Sequence, residues 1–185
     1  MRRRLDEAVS TQSGQRLRVL SLCAGDGRDV LPVLAEWRDR KAITGRLIEG
    51  EPQLASRARS SAAREQLDDI EVVCGDAARP ASYRGATPAD LVVACGIFGN
   101  VSDADVHRLI ESLPALCADD ANVVWTRHRH EPDLTPSIRA WFADAGFDER
   151  AFDSPGPDDF SVGWHQLVAR RREIALRDPL FTFVR

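Results

Sequence analysis

The sequence has little of what marks membrane-bound, secreted or nucleic-acid-binding proteins. No apolar run approaches the roughly 20 residues that a membrane-spanning helix needs. The basic start, Met1 to Arg4, leads into Leu5-Asp6-Glu7 instead of an apolar stretch, so no secretory signal is predicted. A net charge of -4 disfavours a nucleic-acid partner, which needs a basic surface. We therefore expect a cytoplasmic protein without a membrane partner.

Cysteine is scarce as well, and the four cysteines form no Cys-x-x-Cys pair and have no histidine at zinc-finger spacing: Cys23, Cys74, Cys95 and Cys117. Such isolated cysteines predict reduced thiols and no metal site. Because Cys23, Cys74 and Cys95 stand at the ends of predicted strands, a second hypothesis groups them as a redox or metal-binding cluster at one rim. Small core side chains are the simpler explanation.

The length of 185 residues fits one domain. Short runs rich in Val, Leu and Ile alternate with amphipathic stretches of helical length, the pattern of βαβ units. Five strands are predicted at residues 17–23, 43–49, 70–74, 90–95 and 121–126. Helices are predicted at residues 29–37, 53–66, 102–116 and 134–145. The chain therefore contains five βα steps.

The segments after the last helix predict a β-hairpin. Residues 147–152 and 160–170 are separated by the turn-forming sequence Ser154-Pro155-Gly156-Pro157. We divide the chain into an N-terminal lead-in (1–16), a main domain (17–170) and a C-terminal tail (171–185) that forms an edge strand or a strap across the sheet.

The loop after the first strand is the first candidate for a binding site, because ligands of open parallel sheets bind beyond the carboxyl ends of the strands. Gly25 and Gly27 let the backbone turn tightly there. A dinucleotide usually requires a third glycine, and Val30 occupies that position. Asp26 and Asp29 would repel a pyrophosphate but suit the ammonium and sulfonium charges of S-adenosylmethionine. The loop favours this cofactor over NAD, and an NAD-dependent oxidoreductase is the alternative.

An acidic residue at the end of the second strand is the predicted ribose ligand. Glu49 follows the glycines by about twenty residues, the spacing at which a carboxylate accepts both ribose hydroxyl protons. Glu51 is the reserve candidate.

Together these segments resemble motifs I and II of the class I S-adenosylmethionine-dependent methyltransferases, at residues 19–29 and 47–52. Cys74-Gly75-Asp76-Ala77 is similar to the family's third motif, which implies that Asp76 and the following amide contact the adenine. Residues 94–101 resemble motif IV, beside the methionine part of the cofactor. The resemblance implies these cofactor-binding residues: Cys23, Ala24, Gly25, Asp26, Gly27, Asp29, Glu49, Gly50, Asp76, Ala77, Cys95 and Gly96.

The resemblance spans residues 17–167 and implies an α/β, Rossmann-like three-layer sandwich. Its sheet is expected to be mostly parallel and seven-stranded, with a C-terminal antiparallel β-hairpin. Two positions depart from the family pattern, because Ser21 stands where an acidic residue is common and Cys23 where a glycine is common. These departures leave open a catalytically inactive module that binds the cofactor and serves regulation.

The methyl acceptor is expected to be a small molecule, because the lead-in is short and no large insertion is present. A second subunit could complete such an open pocket, which makes a homodimer an alternative. His128 follows the fifth strand at the expected cofactor rim and is the candidate general base. Phe98 and Asn100, in the fourth loop, are predicted to line the substrate pocket.

Overall fold

The computed structural model describes residues 1–12, 16–156, 160–170 and 175–184. Parts of the predicted lead-in (13–15), hairpin turn (Pro157) and tail (171–174 and 185) therefore lie outside the described residues. The helices are α1 Arg2–Ser10, α2 Leu31–Ala35, α3 Pro52–Arg64, α4 Asp103–Leu116 and α5 Thr135–Asp144. The strands are β1 Leu17–Leu22, β2 Ile43–Glu49, β3 Ile70–Cys74, β4 Ala89–Ala94, β5 Cys117–His128, β6 Phe147–Asp153 and β7 Phe160–Leu167. Within the described ranges, no helix combines the length and the apolar character needed to cross a bilayer.

All seven strands form one sheet in the order β3-β2-β1-β4-β5-β7-β6. The first five strands are parallel, and β7 runs antiparallel to both β5 and β6. This arrangement confirms the predicted mostly parallel, seven-stranded α/β fold with its C-terminal hairpin. The chain turns to one side of β1 for β2 and to the other side for β4, so the crevice between β1 and β4 is the expected ligand position.

The central strand β1 explains why the apolar pattern predicted the sheet so well. Leu17 and Val19 belong to the core between the sheet and helices α1 to α3, whereas Leu20 and Leu22 belong to the core beneath α4 and α5. A strand that is covered on both faces carries apolar residues without alternation. Its neighbour β2 approaches so closely that a Cβ at Gly45 would lie 2.2 Å from the carbonyl oxygen of Val19.

The N-terminal segment forms a helix, α1, which the sequence analysis treated only as a lead-in. Leu5, Ala8 and Val9 are buried on one face of α1. The side-chain amide of Asn122 donates to the carbonyl oxygen of Ala8 at 3.1 Å, which fixes the helix against β5. The spacing of the three apolar residues is helical, and it was a usable signal for α1.

The described part of the tail is a strap across the loops at the carboxyl ends of the strands. The amide of Leu180 donates to the Ala78 carbonyl at 2.8 Å, and the amide of Val184 donates to the Asn100 carbonyl at 2.9 Å. Phe183 forms an isolated antiparallel bridge with Val101, outside the sheet. Phe181 is only 1% exposed and belongs to the core beneath α4 and α5.

The strap should therefore contribute to stability through Phe181. We expect Phe181→Ala to lower the free energy of unfolding by about 3–5 kcal/mol, because it leaves a cavity in the core. Phe183 is 44% exposed, and Phe183→Ala is the matched control with an expected cost of about 1 kcal/mol or less. Urea denaturation followed by tryptophan fluorescence measures both, and equal costs would contradict the strap's role in the core.

A histidine is buried in the C-terminal hairpin. The Nδ1 atom of His165 accepts a hydrogen bond from Trp125 Nε1 at 3.1 Å, and its ring stacks on Phe142 with centroids 4.2 Å apart. Burial lowers the pKa of His165 to about 4, although the nearby carboxylate of Glu149 opposes the shift. The imidazole is therefore neutral at neutral pH.

This histidine predicts acid sensitivity. The folded-state pKa lies below the unfolded value of about 6.5, so protonation favours the unfolded chain. The stability is fully present above about pH 6.5 and falls as the pH drops towards 4, by a total of about 3 kcal/mol. In His165→Gln, the amide oxygen can still accept from Trp125 without titrating. Denaturation curves between pH 7 and 4 should show a flatter pH dependence for the variant, and parallel curves would contradict the assignment.

Candidate cofactor site

An open cavity of about 560 Å³ lies at the carboxyl ends of β1, β4 and β5, beside the point where the strand order reverses. Its volume is within the range of small-molecule sites, about 300–1,000 Å³. Predicted residues that line it are Cys23, Ala24, Gly25, Asp26, Asp29, Cys95 and Gly96. Residues that the sequence analysis did not assign as ligands also line it: Met1, Ser21, Arg28, Val30, Leu54, Val93, Thr126, Phe160 and Val162.

In the turn after β1, every second residue adopts a left-handed backbone conformation. Cys23, Gly25 and Gly27 have φ angles of 55°, 60° and 76°. A Cβ at Gly25 would meet nothing within 4 Å, so this backbone faces open space in the cavity. A Cβ at Gly27 would instead lie 2.4 Å from the side chain of Leu31, which shows that this glycine serves the packing of α2 against the turn.

Glu49 connects this turn to the end of β2. Its carboxylate accepts the amide of Gly25 at 2.7 Å and the amide of Glu51 at 2.9 Å. A carboxylate offers about four lone-pair positions, so acceptor capacity is left for ligand hydroxyls. The reserve candidate Glu51 has a different task, because its side chain caps α3 by accepting the amides of Gln53 and Leu54.

The third strand places a second carboxylate beside Glu49. The amide of Gly75 donates to the Glu49 carbonyl at 2.9 Å, and the side chain of Asp76 accepts the amide of Ala78 at 2.8 Å. Asp76 is exposed and Ala77 is buried, and neither lines the cavity itself. Burial raises the pKa of Cys23 to about 12, and the charges of Glu49 and Asp76 add to the shift. Cys23, Glu49 and Asp76 are therefore neighbours, and the Cys23 thiol is neutral.

The electrostatics of the turn depend on two aspartates with different surroundings. Asp26 forms an ion pair with Arg28 at 2.6 Å, and this hydrogen bonding lowers the pKa of Asp26 to about 2. Asp29 is exposed, lines the cavity and lies close enough to Cys95 to contribute to that thiol's raised pKa. Because Arg28 offsets Asp26, Asp29 gives this part of the cavity its net negative charge.

The opposite wall is formed by the loop after β4. Gly96 has a φ of 72°, and a Cβ there would meet nothing within 4 Å. Its amide donates to Thr126 Oγ1 at 3.2 Å, and the Cys95 thiol lies 3.3 Å from the sulfur of Met1. This geometry does not support the hypothesis of a metal-binding cysteine cluster, since no group of three potential ligand side chains is found among the described residues.

The two residues predicted to line the substrate pocket have other roles. Phe98 is fully buried, with its ring 5.6 Å from Trp125 and 6.4 Å from Phe142, so its side chain belongs to the core. Buried Arg127 donates to the carbonyl of Phe98 and fixes the loop there. The side-chain amide of Asn100 donates to the Gly96 carbonyl at 2.7 Å, which closes the loop on itself. The prediction that Phe98 lines the substrate pocket was therefore wrong, and Asn100 is exposed but lies outside the lining of the cavity.

His128 lies beside this loop without lining the cavity. A Cβ at Gly99 would lie 2.9 Å from Cδ2 of His128, so the imidazole rests directly on the Gly99 backbone. The ring stacks on His130 with centroids 4.8 Å apart. Its buried Nδ1 atom has no hydrogen-bond partner among the residues that the structure describes. The predicted base is thus near the rim, two positions beyond Thr126 on β5.

Several solved structures share this architecture. An O-methyltransferase family protein from Burkholderia thailandensis has a TM-score of 0.65 at 18% identity, over 93% of this chain and 57% of that protein. ChlM, the magnesium protoporphyrin IX methyltransferase from Synechocystis PCC 6803 with bound SAM, has a TM-score of 0.66 at 12% identity, over 89% of this chain and 78% of that protein. No family model and no curated protein matches the sequence. This chain has the class I methyltransferase fold.

The solved neighbours with this fold also include an RNA methyltransferase. An RNA methyltransferase from Salinibacter ruber, in complex with S-adenosyl-L-homocysteine, has a TM-score of 0.59 at 18% identity, over 93% of this chain and 92% of that protein. The chain spans little more than half the length of the Burkholderia neighbour, at 57%. At identities this low, the similarity establishes the class I methyltransferase fold only. The methyl acceptor has to be inferred from this chain's own residues.

The two departures from the usual class I methyltransferase pattern lie near the end of β1, at Ser21, and in the turn that follows it, at Cys23. Ser21 is 2% exposed and lines the cavity where an acidic residue is common. Cys23 stands where glycine is common, and it keeps the left-handed conformation that glycine adopts without strain. The turn therefore retains its shape although the glycine is absent.

The strain at Cys23 can be measured by comparing two variants. Cys23→Ala and Cys23→Gly both remove the sulfur, but only glycine relieves the left-handed backbone. We expect the glycine variant to be more stable than the alanine variant by about 1 kcal/mol. Thermal unfolding at fixed pH measures the difference, and an alanine variant of equal or greater stability would contradict the positive φ at this position.

Proposed function

We propose that this protein is an S-adenosylmethionine-dependent methyltransferase that acts on a small molecule. The observation that carries the proposal is the cavity at the switch point of the sheet, with a glycine-containing turn and the carboxylates Asp26 and Asp29 at its rim. A cationic sulfonium and an ammonium group are favoured at such a rim, whereas a pyrophosphate is repelled. Class I methyltransferase neighbours with bound SAM or S-adenosyl-L-homocysteine support the same cofactor.

Each part of the cofactor has a candidate partner among the chain's residues. Glu49 would accept the ribose hydroxyls with its remaining lone pairs, and Asp76 with the neighbouring Ala77 amide would meet the adenine edge. The backbone at Gly25 and Gly96 leaves room for close approach, because a side chain is absent at both positions. Asp29 would face the ammonium group. Gly25, Asp29 and Gly96 line the cavity, and Glu49, Asp76 and Ala77 lie outside its lining with the chemistry that the ribose and adenine require.

During methyl transfer the protein has to align the acceptor with the methyl group and exclude water from the site. The bound cofactor supplies an activated methyl group, and its transfer to an acceptor lone pair leaves a neutral thioether and, from a hydroxyl or amine, one released proton. His128 is our candidate to accept that proton, since it pairs across the β5–β7 ladder with Phe160, which lines the cavity. We propose a cytoplasmic location, because the four cysteines are all free.

An inactive cofactor-binding module is the second candidate, favoured by Ser21 at the position of the missing acid. Such a module would bind S-adenosylmethionine and convert no acceptor. An NAD-dependent oxidoreductase is disfavoured, because Asp26 and Asp29 flank the start of a helix that a pyrophosphate would have to approach. Measuring NADH binding by fluorescence separates this alternative from both others.

Glu49 provides the sharpest test of the cofactor site. We expect Glu49→Gln to raise the dissociation constant for S-adenosyl-L-homocysteine by about ten- to hundredfold, as expected when hydrogen bonds to a charged acceptor are lost. Glu51→Gln is the matched control, since Glu51 caps α3 and should leave the affinity within about threefold. Isothermal titration calorimetry measures both variants. No binding to the wild-type protein would overturn the cofactor assignment, and equal affinities for all three proteins would overturn the role of Glu49 as the ribose ligand.

A further inference from the structure

A second cavity, of about 530 Å³, adjoins the cofactor cavity on the side of the β6–β7 hairpin. The two cavities share Met1, Phe160 and Val162 as walls. The remaining lining residues of the second cavity are Arg3, Phe152, Asp153, Ser154 and Pro155. A molecule in the second cavity would therefore lie directly beside a ligand in the first one.

The register of the strands explains why Phe160 lies at the border between the two cavities. Thr126 pairs with Val162 and His128 pairs with Phe160 in the antiparallel β5–β7 ladder. Side chains of opposing residues lie on the same face, and so do residues two apart on one strand. Thr126 and Val162 line the cofactor cavity, so Phe160 and His128 form the next rung outward on the same face.

Phe160 is unusually exposed for a phenylalanine. It is 65% exposed, and it is the most exposed large apolar side chain among the described residues. An exposed aromatic side chain that lines a cavity offers apolar contact area to a ligand. Pro155 also lines this cavity, whereas the ring of Phe152 packs towards Trp125, 6.0 Å away between centroids, on the other face of the sheet. A flat ring is the natural complement of such a surface.

The charges at the far wall of this cavity are paired. The carboxylate of Asp153 accepts Arg4 Nε at 2.6 Å and Arg4 Nη2 at 2.7 Å, and it also accepts Arg3 Nη2 at 3.1 Å. Arg4 additionally pairs with Glu7 at 2.5 Å. The two arginines are thus matched by two carboxylates. Neither arginine is therefore left unpaired for an anionic ligand such as a nucleic-acid backbone.

We propose that the second cavity is the acceptor site and that it takes an uncharged, planar aromatic molecule stacked on Phe160. This proposal rests on the proposed function, since the cofactor cavity must hold the methyl donor. The acceptor's hydroxyl, thiol or amine would point towards the shared wall at Met1 and Val162. His128, on the same rung as Phe160, then lies on the acceptor's side of the sheet.

Binding of 2-naphthol to the protein saturated with S-adenosyl-L-homocysteine tests this site without requiring turnover. We expect calorimetry to show binding to the wild-type protein and at least fivefold weaker binding to Phe160→Ala. Phe183→Ala, which removes an exposed ring of the tail far along the chain, is the matched control and should bind within twofold of wild type. Decahydro-2-naphthol has the same size without aromatic rings, and it should bind at least fivefold more weakly than 2-naphthol.

The possible failures are distinguishable. Absent binding of S-adenosyl-L-homocysteine would overturn the proposed function itself. If that compound binds but 2-naphthol does not, or if Phe160→Ala leaves its affinity unchanged, the acceptor site is wrong. Saturated and aromatic probes of equal affinity would overturn the aromatic preference, and tighter binding of a short RNA that depends on Phe160 would overturn the choice of an uncharged small molecule. Circular dichroism confirms that Phe160→Ala retains its fold. Because Phe160 also lines the cofactor cavity, the variant is first titrated with S-adenosyl-L-homocysteine and then saturated with it before 2-naphthol is added.

Discussion

The hydrogen bond from the Gly25 amide to the carboxylate of Glu49, at 2.7 Å, is the contact on which the candidate site depends. It joins the turn after β1 to the end of β2, and the Gly75 amide in turn joins β3 to the Glu49 carbonyl. The loops at the carboxyl ends of β1, β2 and β3 are thereby held together around one residue, Glu49, through its side chain and its main-chain carbonyl. A carboxylate suits this position because it accepts two backbone amides and still has lone pairs for a ligand.

Much of the fold followed from the sequence because its central strands are buried on both faces. Such strands appear as uninterrupted apolar runs, and β1 and β4 were predicted within one or two residues of their ends. The helix α1 escaped prediction because its polar residues dominate the segment and its apolar side, with Leu5 and Val9, is narrow. The strap was equally hard to predict, since it forms an isolated bridge and hydrogen bonds to loops instead of a regular ladder.

The residues of the candidate site also fall into two groups, those that local sequence patterns predict and those that they do not. Residues of the first turn and the neighbouring strand ends could be predicted, because local spacing places glycines and carboxylates together. Thr126, Phe160 and Val162 could not, since their positions arise from the antiparallel register of β5 and β7, which no local pattern encodes. Phe98 was misassigned for a related reason. Its loop follows a strand at the correct rim, but a phenylalanine next to the core at Trp125 is more stable when it is buried.

The absence of an acid at Ser21 and the presence of aspartates in the turn together determine where negative charge lies at the candidate site. Ser21 lies between Leu47 and Val93 on the neighbouring strands and is almost fully buried. A carboxylate there would be desolvated in the empty protein, at a cost that only a bound cation offsets. At Asp29 the same negative charge stays hydrated until a ligand arrives. The charge is then more screened by water and attracts the ligand less strongly. Under the proposed function, this placement of charge would lower the cofactor affinity and stabilise the unliganded state, whereas the shape of the turn, which Cys23 preserves, does not depend on it.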